Sequence, residues 1–181
     1  MRSKMYILAA LALASWGCAK TYEYQVRLAA PKAADSGAFE DAILSAQLNL
    51  LHDSVAIRIK NKGATAIQIP WDSVSLVGVD GQAQRVIHTG VKLIEKSQTQ
   101  APTIVPPGAV HSDEITPADN IHYESGQYGG WRIEPILPNL GERQSTYVGK
   151  RISVFLPIDV GGKRREYKFD LEITAVVEKQ Q

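Results

Sequence analysis

Val55-Ala56-Ile57-Arg58-Ile59-Lys60 alternates apolar side chains with small or charged ones. Successive side chains of a strand point to opposite faces, so this stretch predicts a half-buried β-strand with Val55, Ile57 and Ile59 inward. Upstream, Ile43 to Leu51 is apolar enough for a strand or a short helix, and His52-Asp53-Ser54 supplies a turn that favours a hairpin into Val55. Downstream, Asn61-Lys62-Gly63 turns the chain into Ala66-Ile67-Gln68-Ile69. Pro70 then ends that run, because it has no N–H to give to a ladder.

The same period recurs along the chain. Asp80-Gly81 between Val74–Val79 and Gln84–His88 is a strong hairpin signal. Shorter extended pieces are expected at Val91 to Ile94, Thr103 to Val105 and Ala109 to Ile115, with Pro106-Pro107-Gly108 as a break. Near the C-terminus, Tyr167, Phe169, Leu171 and Ile173 share one face and Lys168, Asp170, Glu172 and Thr174 the other. Ile152–Leu156 leads into that strand through Asp159-Val160-Gly161-Gly162. Helical periodicity is nowhere sustained over a helix-forming length. The pattern predicts an all-β, antiparallel, immunoglobulin-like sandwich of about eight strands, with a lipocalin-like barrel as the alternative.

The order "VAIRIKNKGATAIQIP", "VSLVGVDGQ", "IVPPGAV" over residues 43–115 resembles the small immunoglobulin-like domains of many bacterial lipoproteins, with "GKRISVFLPIDVGGKRREYKFDLEI" as a closing pair. Such domains act as binding or adaptor modules more often than as enzymes. The resemblance carries the fold and no functional residues. With no cysteine in the strands, the disulfide of antibody domains is absent.

The N-terminus supports that resemblance. Arg2 and Lys4 precede an apolar run from Met5 to Ala14, and Ser15-Trp16-Gly17 leads to Cys18, the only cysteine. Ten apolar residues reach only about 15 Å as a helix, against a bilayer core of about 30 Å, so the run suits an export signal rather than a span. It resembles the signal peptide of a bacterial lipoprotein, which implies cleavage before Cys18 and acylation of its thiol. Cleavage after Ala14, where Ala12-Leu13-Ala14 fits the small-x-small rule, is the competing reading. The expected organisation is a signal peptide over 1–17, a lipidated N-terminus and tether over 18–38, and the β domain over 39–181. Ala19, rather than Asp, follows Cys18. In a Gram-negative host that implies the periplasmic face of the outer membrane.

Composition narrows the function classes. Of 20 basic side chains, Arg2 and Lys4 leave with the leader, so the remaining 18 face 19 acidic ones, and no nucleic-acid surface is implied. No Gly-x-Ser-x-Gly elbow or glycine-rich phosphate loop is present. Of the histidines His52, His88, His111 and His122, only His111 with Asp113 and Glu114 suggests a metal site, and only if His122 comes close. The expectation is therefore a non-enzymatic module with no cofactor and no metal. An envelope hydrolase, a metal-binding carrier and a purely structural envelope protein are the alternatives. The residues that suggest binding are Tyr123, Tyr128 and Trp131, set among Gly126, Gly129 and Gly130 in a long stretch from Thr116 to Val148. Rings on such a stretch can meet a protein or glycan partner, or Trp131 can plug the sandwich end. Trp71 reads as core.

Overall fold

The computed structural model describes residues 21–179, whose regular structure is mainly strand. The expected signal peptide and Cys18 lie outside the described residues. The strands are β1 (Thr21–Ala30), β2 (Ala38–Glu40), β3 (Leu44–Leu50), β4 (Val55–Asn61), β5 (Ile67–Ile69), β6 (Ser75–Val77) and β7 (Ala83–His88). Then follow β8 (Thr103–Val105), β9 (Val110–Pro117), β10 (Ile121–Glu124), β11 (Gly130–Ile133), β12 (Arg151–Val160) and β13 (Lys163–Lys179). Short 3-10 turns at Trp71–Ser73, Leu93–Glu95, Ala118–Asn120 and Gly141–Tyr147 are the helical elements among them. None is long and apolar enough to cross a membrane.

The main sheet is antiparallel and runs β1-β13-β12-β6-β7-β9-β4-β3-β2, with β5 beside β12 and β8 beside β5. β7 changes partner halfway: Ala83 to Arg85 pair with β6, and Val86 to His88 pair with β9. The two end strands, β1 and β2, are brought together by the segment between them. Leu28 N–H reaches the carbonyls of Ala34 and Ser36, both at 3.0 Å, and Leu48 N–H reaches Gly37 O at 2.9 Å. Gly37 is required at this seam, since a Cβ there would lie 1.9 Å from the Leu48 carbonyl oxygen. The result is a nearly closed, barrel-like sheet.

The core follows the period-two pattern. Leu44, Leu48, Val55, Ile59, Ile152, Val154, Phe169 and Leu171 are buried in one cluster, and Trp71 lies fully within it with its indole N–H on Thr103 Oγ1 at 2.8 Å. Outside, Glu172 on β13 accepts from Arg27 of β1 at 2.6 Å and Arg151 of β12 at 2.9 Å. These guanidiniums hold its carboxyl below the usual range.

Several expectations meet a different arrangement. There are thirteen strands among the described residues rather than about eight. The strands not expected are β1, β2, β10 and β11, of which β2 is three residues long, too short for a period to show; β5, β6 and β8 lie where extended runs are expected. Part of the stretch expected as tether over 18–38 is strand: β1 pairs with β13 from Thr21↔Lys179 to Ala30↔Asp170. Tyr24 and Leu28 are buried there, with Tyr22 and Val26 packed at the same face. Ile67–Ile69 forms no hairpin with β4; it pairs with β12 and β8. Val91–Ile94 leads into a 3-10 turn, since Glu95 and Lys96 N–H bond back to Lys92 and Leu93.

Candidate functional site

The stretch from Thr116 to Val148 divides into two parts with different jobs. The first is the β10–β11 hairpin, a separate two-stranded sheet in which Tyr123 faces Trp131 and Ile121 faces Ile133. Period two places these four on one face and His122, Glu124 and Arg132 on the other. The polar face carries the Arg132–Glu124 ion pair at 3.1 Å, with the His122 ring near Glu124 and Glu134 at 3.7 and 3.8 Å. On the apolar face, Ile121 is buried with Ile87 and Ala118 in a second small core, against which Trp131, Ile133, Val91 and Leu93 pack.

Burial along that face falls off towards the tip. Tyr123 is 62% exposed, edge-on to Trp131 at 5.6 Å, and Tyr128 in the connecting loop is 84% exposed. The base is firm: Asn120 Nδ2 donates to the Glu134 and Pro135 carbonyls at 3.2 and 3.1 Å, and Glu134 N–H returns to Asn120 O at 2.8 Å. Lys96 Nζ ties Ala118 O at 2.9 Å and also reaches Ile121 O. Of the three aromatic residues the sequence singles out, Trp131 is thus the hinge-pin of the hairpin, and Tyr123 and Tyr128 are its presented surface.

The second part, residues 134–148, closes the end of the barrel. Leu137, Gln144 and Tyr147 are buried. Tyr147 Oη donates to Pro138 O at 3.1 Å, Gln144 Nε2 donates to Tyr24 Oη, and Ile136 N–H bonds His52 O at 3.0 Å. Burial pushes the Tyr24 and Tyr147 phenols above their ordinary pKa. The plugging role that the sequence allowed to Trp131 therefore falls to Leu137 and Tyr147. Between this plug and the β6–β7 turn lies a cleft of about 850 Å³, with Leu76, Val79, Ile136 and Leu140 among its apolar walls. Asp80 and Lys150 stand at its rim, and Asn120 and Glu134 make it continuous with the base of the hairpin.

The histidines sort differently from the sequence expectation. His122 belongs to the hairpin, while His111 is joined by His88: His88 Nδ1 and His111 Nε2 each lie 3.1 Å from Asp113 Oδ2. Asp113 Oδ1 accepts from the Thr89 and Glu114 N–H groups at 2.9 and 2.8 Å. Asp113 and His111 lie across from the inward-facing Ile57 and Ile59, so the trio faces the core side, with His88 stacked on Trp71 at 4.5 Å. A carboxylate oxygen accepts, so each ring turns an N–H towards it, and the three groups satisfy one another. Among the described residues, no three His, Cys, Asp or Glu side chains are arranged to hold a metal ion. His111, Asp113 and His122 do not converge.

No protein-family model, curated protein or solved structure matches this chain. The site is therefore read from its own geometry. Sequence alone points to the three aromatics because they cluster in one window. It misses the cleft, whose walls come from Thr21, His52, Val79, Ile136 and Lys150, far apart in the chain and without a shared motif. It also misses His88, whose partner Asp113 is 25 residues away.

Proposed function

We infer that this chain is a lipoprotein of a bacterial cell envelope, processed before Cys18, acylated there, and held on the periplasmic face of the outer membrane. Its β domain is a non-enzymatic binding module that meets an envelope protein or glycan through the β10–β11 hairpin. The observation that carries the binding half is the pairing of a braced base with a bare tip, Tyr123 and Tyr128 being 62% and 84% exposed. Large rings with a polar end, already held on a rigid support, bind with little ordering cost. Because residues 134–148 close the barrel end, the hairpin is not needed as a plug, which favours binding over a purely structural part. In the same reading the barrel-like sheet is an immunoglobulin-like sandwich, its two halves meeting at β7 where the pairing passes from β6 to β9.

The test is a Tyr123→Ala, Tyr128→Ala double variant of the full chain, compared with the parent for crosslinking to envelope proteins and for retention on purified cell-wall glycan. Exposed rings contribute little to stability, so the unfolding midpoint is expected to stay put while one of these two contacts is lost. Unchanged contacts in a folded double variant would overturn the hairpin's role. The anchor is read separately, from the intact mass of the protein extracted from host membranes.

A further inference from the structure

The cleft lies at a particular end of the molecule. It gathers Thr21 at the start of β1, the β3–β4 turn at His52, the β6–β7 turn at Val79 and Asp80, and Lys150 just ahead of β12. Thr21 pairs with Lys179 and Ala30 with Asp170, whereas β12 and β13 join at Gly161 and Gly162 beyond the other end of β1. Cys18 precedes Thr21 by three residues, and three extended residues reach at most about 11 Å. If the anchored reading holds, on which this inference rests, the acyl groups keep the cleft end against the bilayer and the Gly161–Gly162 turn away from it.

What faces the bilayer there is suited to one kind of molecule. The walls at Leu76, Val79, Ile136 and Leu140 are apolar, and a volume of about 850 Å³ falls within the range of about 300–1,000 Å³ common to small-molecule sites. At the rim, Lys150 Nζ sits 5.8 Å from the centre of the Tyr147 ring and forms no ion pair among the described residues. Asp80 stands on the same rim, so both signs of charge are offered above an apolar floor. We propose that the cleft takes an acyl chain of a zwitterionic phospholipid from the bilayer that anchors the protein. The phosphate lies at Lys150 and the amine towards Asp80.

The Cys18→Ser full chain, which lacks the acylation site, is titrated with palmitoyl lysophosphatidylethanolamine below its micelle concentration, and with monopalmitoylglycerol as the phosphate-free control. Saturable single-site binding is expected. Val79→Arg, which puts a charge on the apolar wall, should weaken binding of both by about tenfold or more. Lys150→Glu should weaken the phospholipid by a similar factor and leave the glycerol ester unchanged. Lys150 is exposed, so this variant carries the test should Val79→Arg lower the unfolding midpoint. No saturable binding, or equal binding by both variants, overturns the proposal. Native acylated protein that cannot bind the probe although Cys18→Ser does would identify its own chains as occupant and overturn the bilayer as source. Native protein without acyl mass at Cys18 but with the titration intact would remove the anchored reading instead.

Discussion

Asp41 shows how one side chain can organise both a turn and a contact across the barrel. Its Oδ1 accepts from the Ile43 and Leu44 N–H groups at 2.7 and 2.8 Å, setting the turn into β3, and Oδ2 accepts from Tyr167 Oη of β13 at 2.7 Å. Partial burial pushes the carboxyl up, but these donors and the nearby Arg165 outweigh it and hold it below the usual aspartate range. The same burial and the neighbouring carboxylate push the Tyr167 phenol well above its ordinary value. A group whose pKa is depressed by folding contributes fully above its unfolded value, about 3.9, and loses that contribution as pH falls through the folded value. Asp41→Ala should therefore cost about 1–3 kcal/mol at neutral pH, and the variant's stability should fall less steeply than the parent's below about pH 4. Chemical unfolding measured from pH 7 down to pH 2 reads both. Parallel curves for the two proteins would show that Asp41 is not linked to folding.

Among the elements, β4 is central because it is paired on both sides, with β3 at Leu48↔Ile57 and with β9 at Ile57↔Asp113. Ile57 is buried, and its cross-strand neighbour on β9 is a carboxylate that already takes up two imidazoles and two backbone N–H groups. Ile57→Asp would set a second acid directly opposite Asp113, whose imidazole neighbours His88 and His111 are already taken up by that carboxylate. Burying an unpaired charge and opposing like charges on adjacent strands both destabilise, so the loss should exceed about 4 kcal/mol. Circular dichroism should report an unfolded chain at ambient temperature; a native melting curve would mean that β4 has the wrong register. Elements such as β4, β12 and β13 are legible in sequence because one face is buried, so each residue's side is written as hydrophobicity. Trp71 is legible for the same reason. β1 is written in the same code, at Tyr22, Tyr24, Val26 and Leu28, but its nearness to the run expected as an export signal invites reading it as tether. β2 carries no such code, since three residues do not establish a period; β5 and β8 show as short extended runs, but their pairing with β12 and with each other follows from where longer strands leave room. The site divides likewise: aromatics within one window can be seen, whereas a cleft assembled from distant segments and an acid shared by His88 and His111 exist only after folding.

For the molecule as a whole, the placement of β1 changes what an anchor would do. β13 is 17 residues long, roughly 55 Å at about 3.3 Å per residue, and β1 pairs with its C-terminal half, Asp170 to Lys179. Only Ala19 and Lys20 stand between Cys18 and the first residue of the sheet. An acylated Cys18 would hold the domain with one end at the lipid surface, not hung on a long tether, and the β10–β11 hairpin would stay in a defined relation to that surface. The anchor would still be energetically separate from the fold, because the β1–β13 pairing and the burial of Tyr24 and Leu28 begin beyond it. Two or more acyl chains bind a bilayer nearly irreversibly at about 0.8 kcal/mol per buried methylene, whereas the described surface offers no membrane-crossing helix as a substitute. Cys18→Ser should accordingly shift the protein from the membrane pellet to the soluble fraction while its unfolding midpoint stays within about a degree or two, a change of a few tenths of a kcal/mol. Fractionation and calorimetry of the same preparation separate the two effects. A Cys18→Ser protein that still sediments would place the membrane contact on the folded surface itself, and a lowered midpoint would mean that the residues before Thr21 contribute to the stability of the sheet.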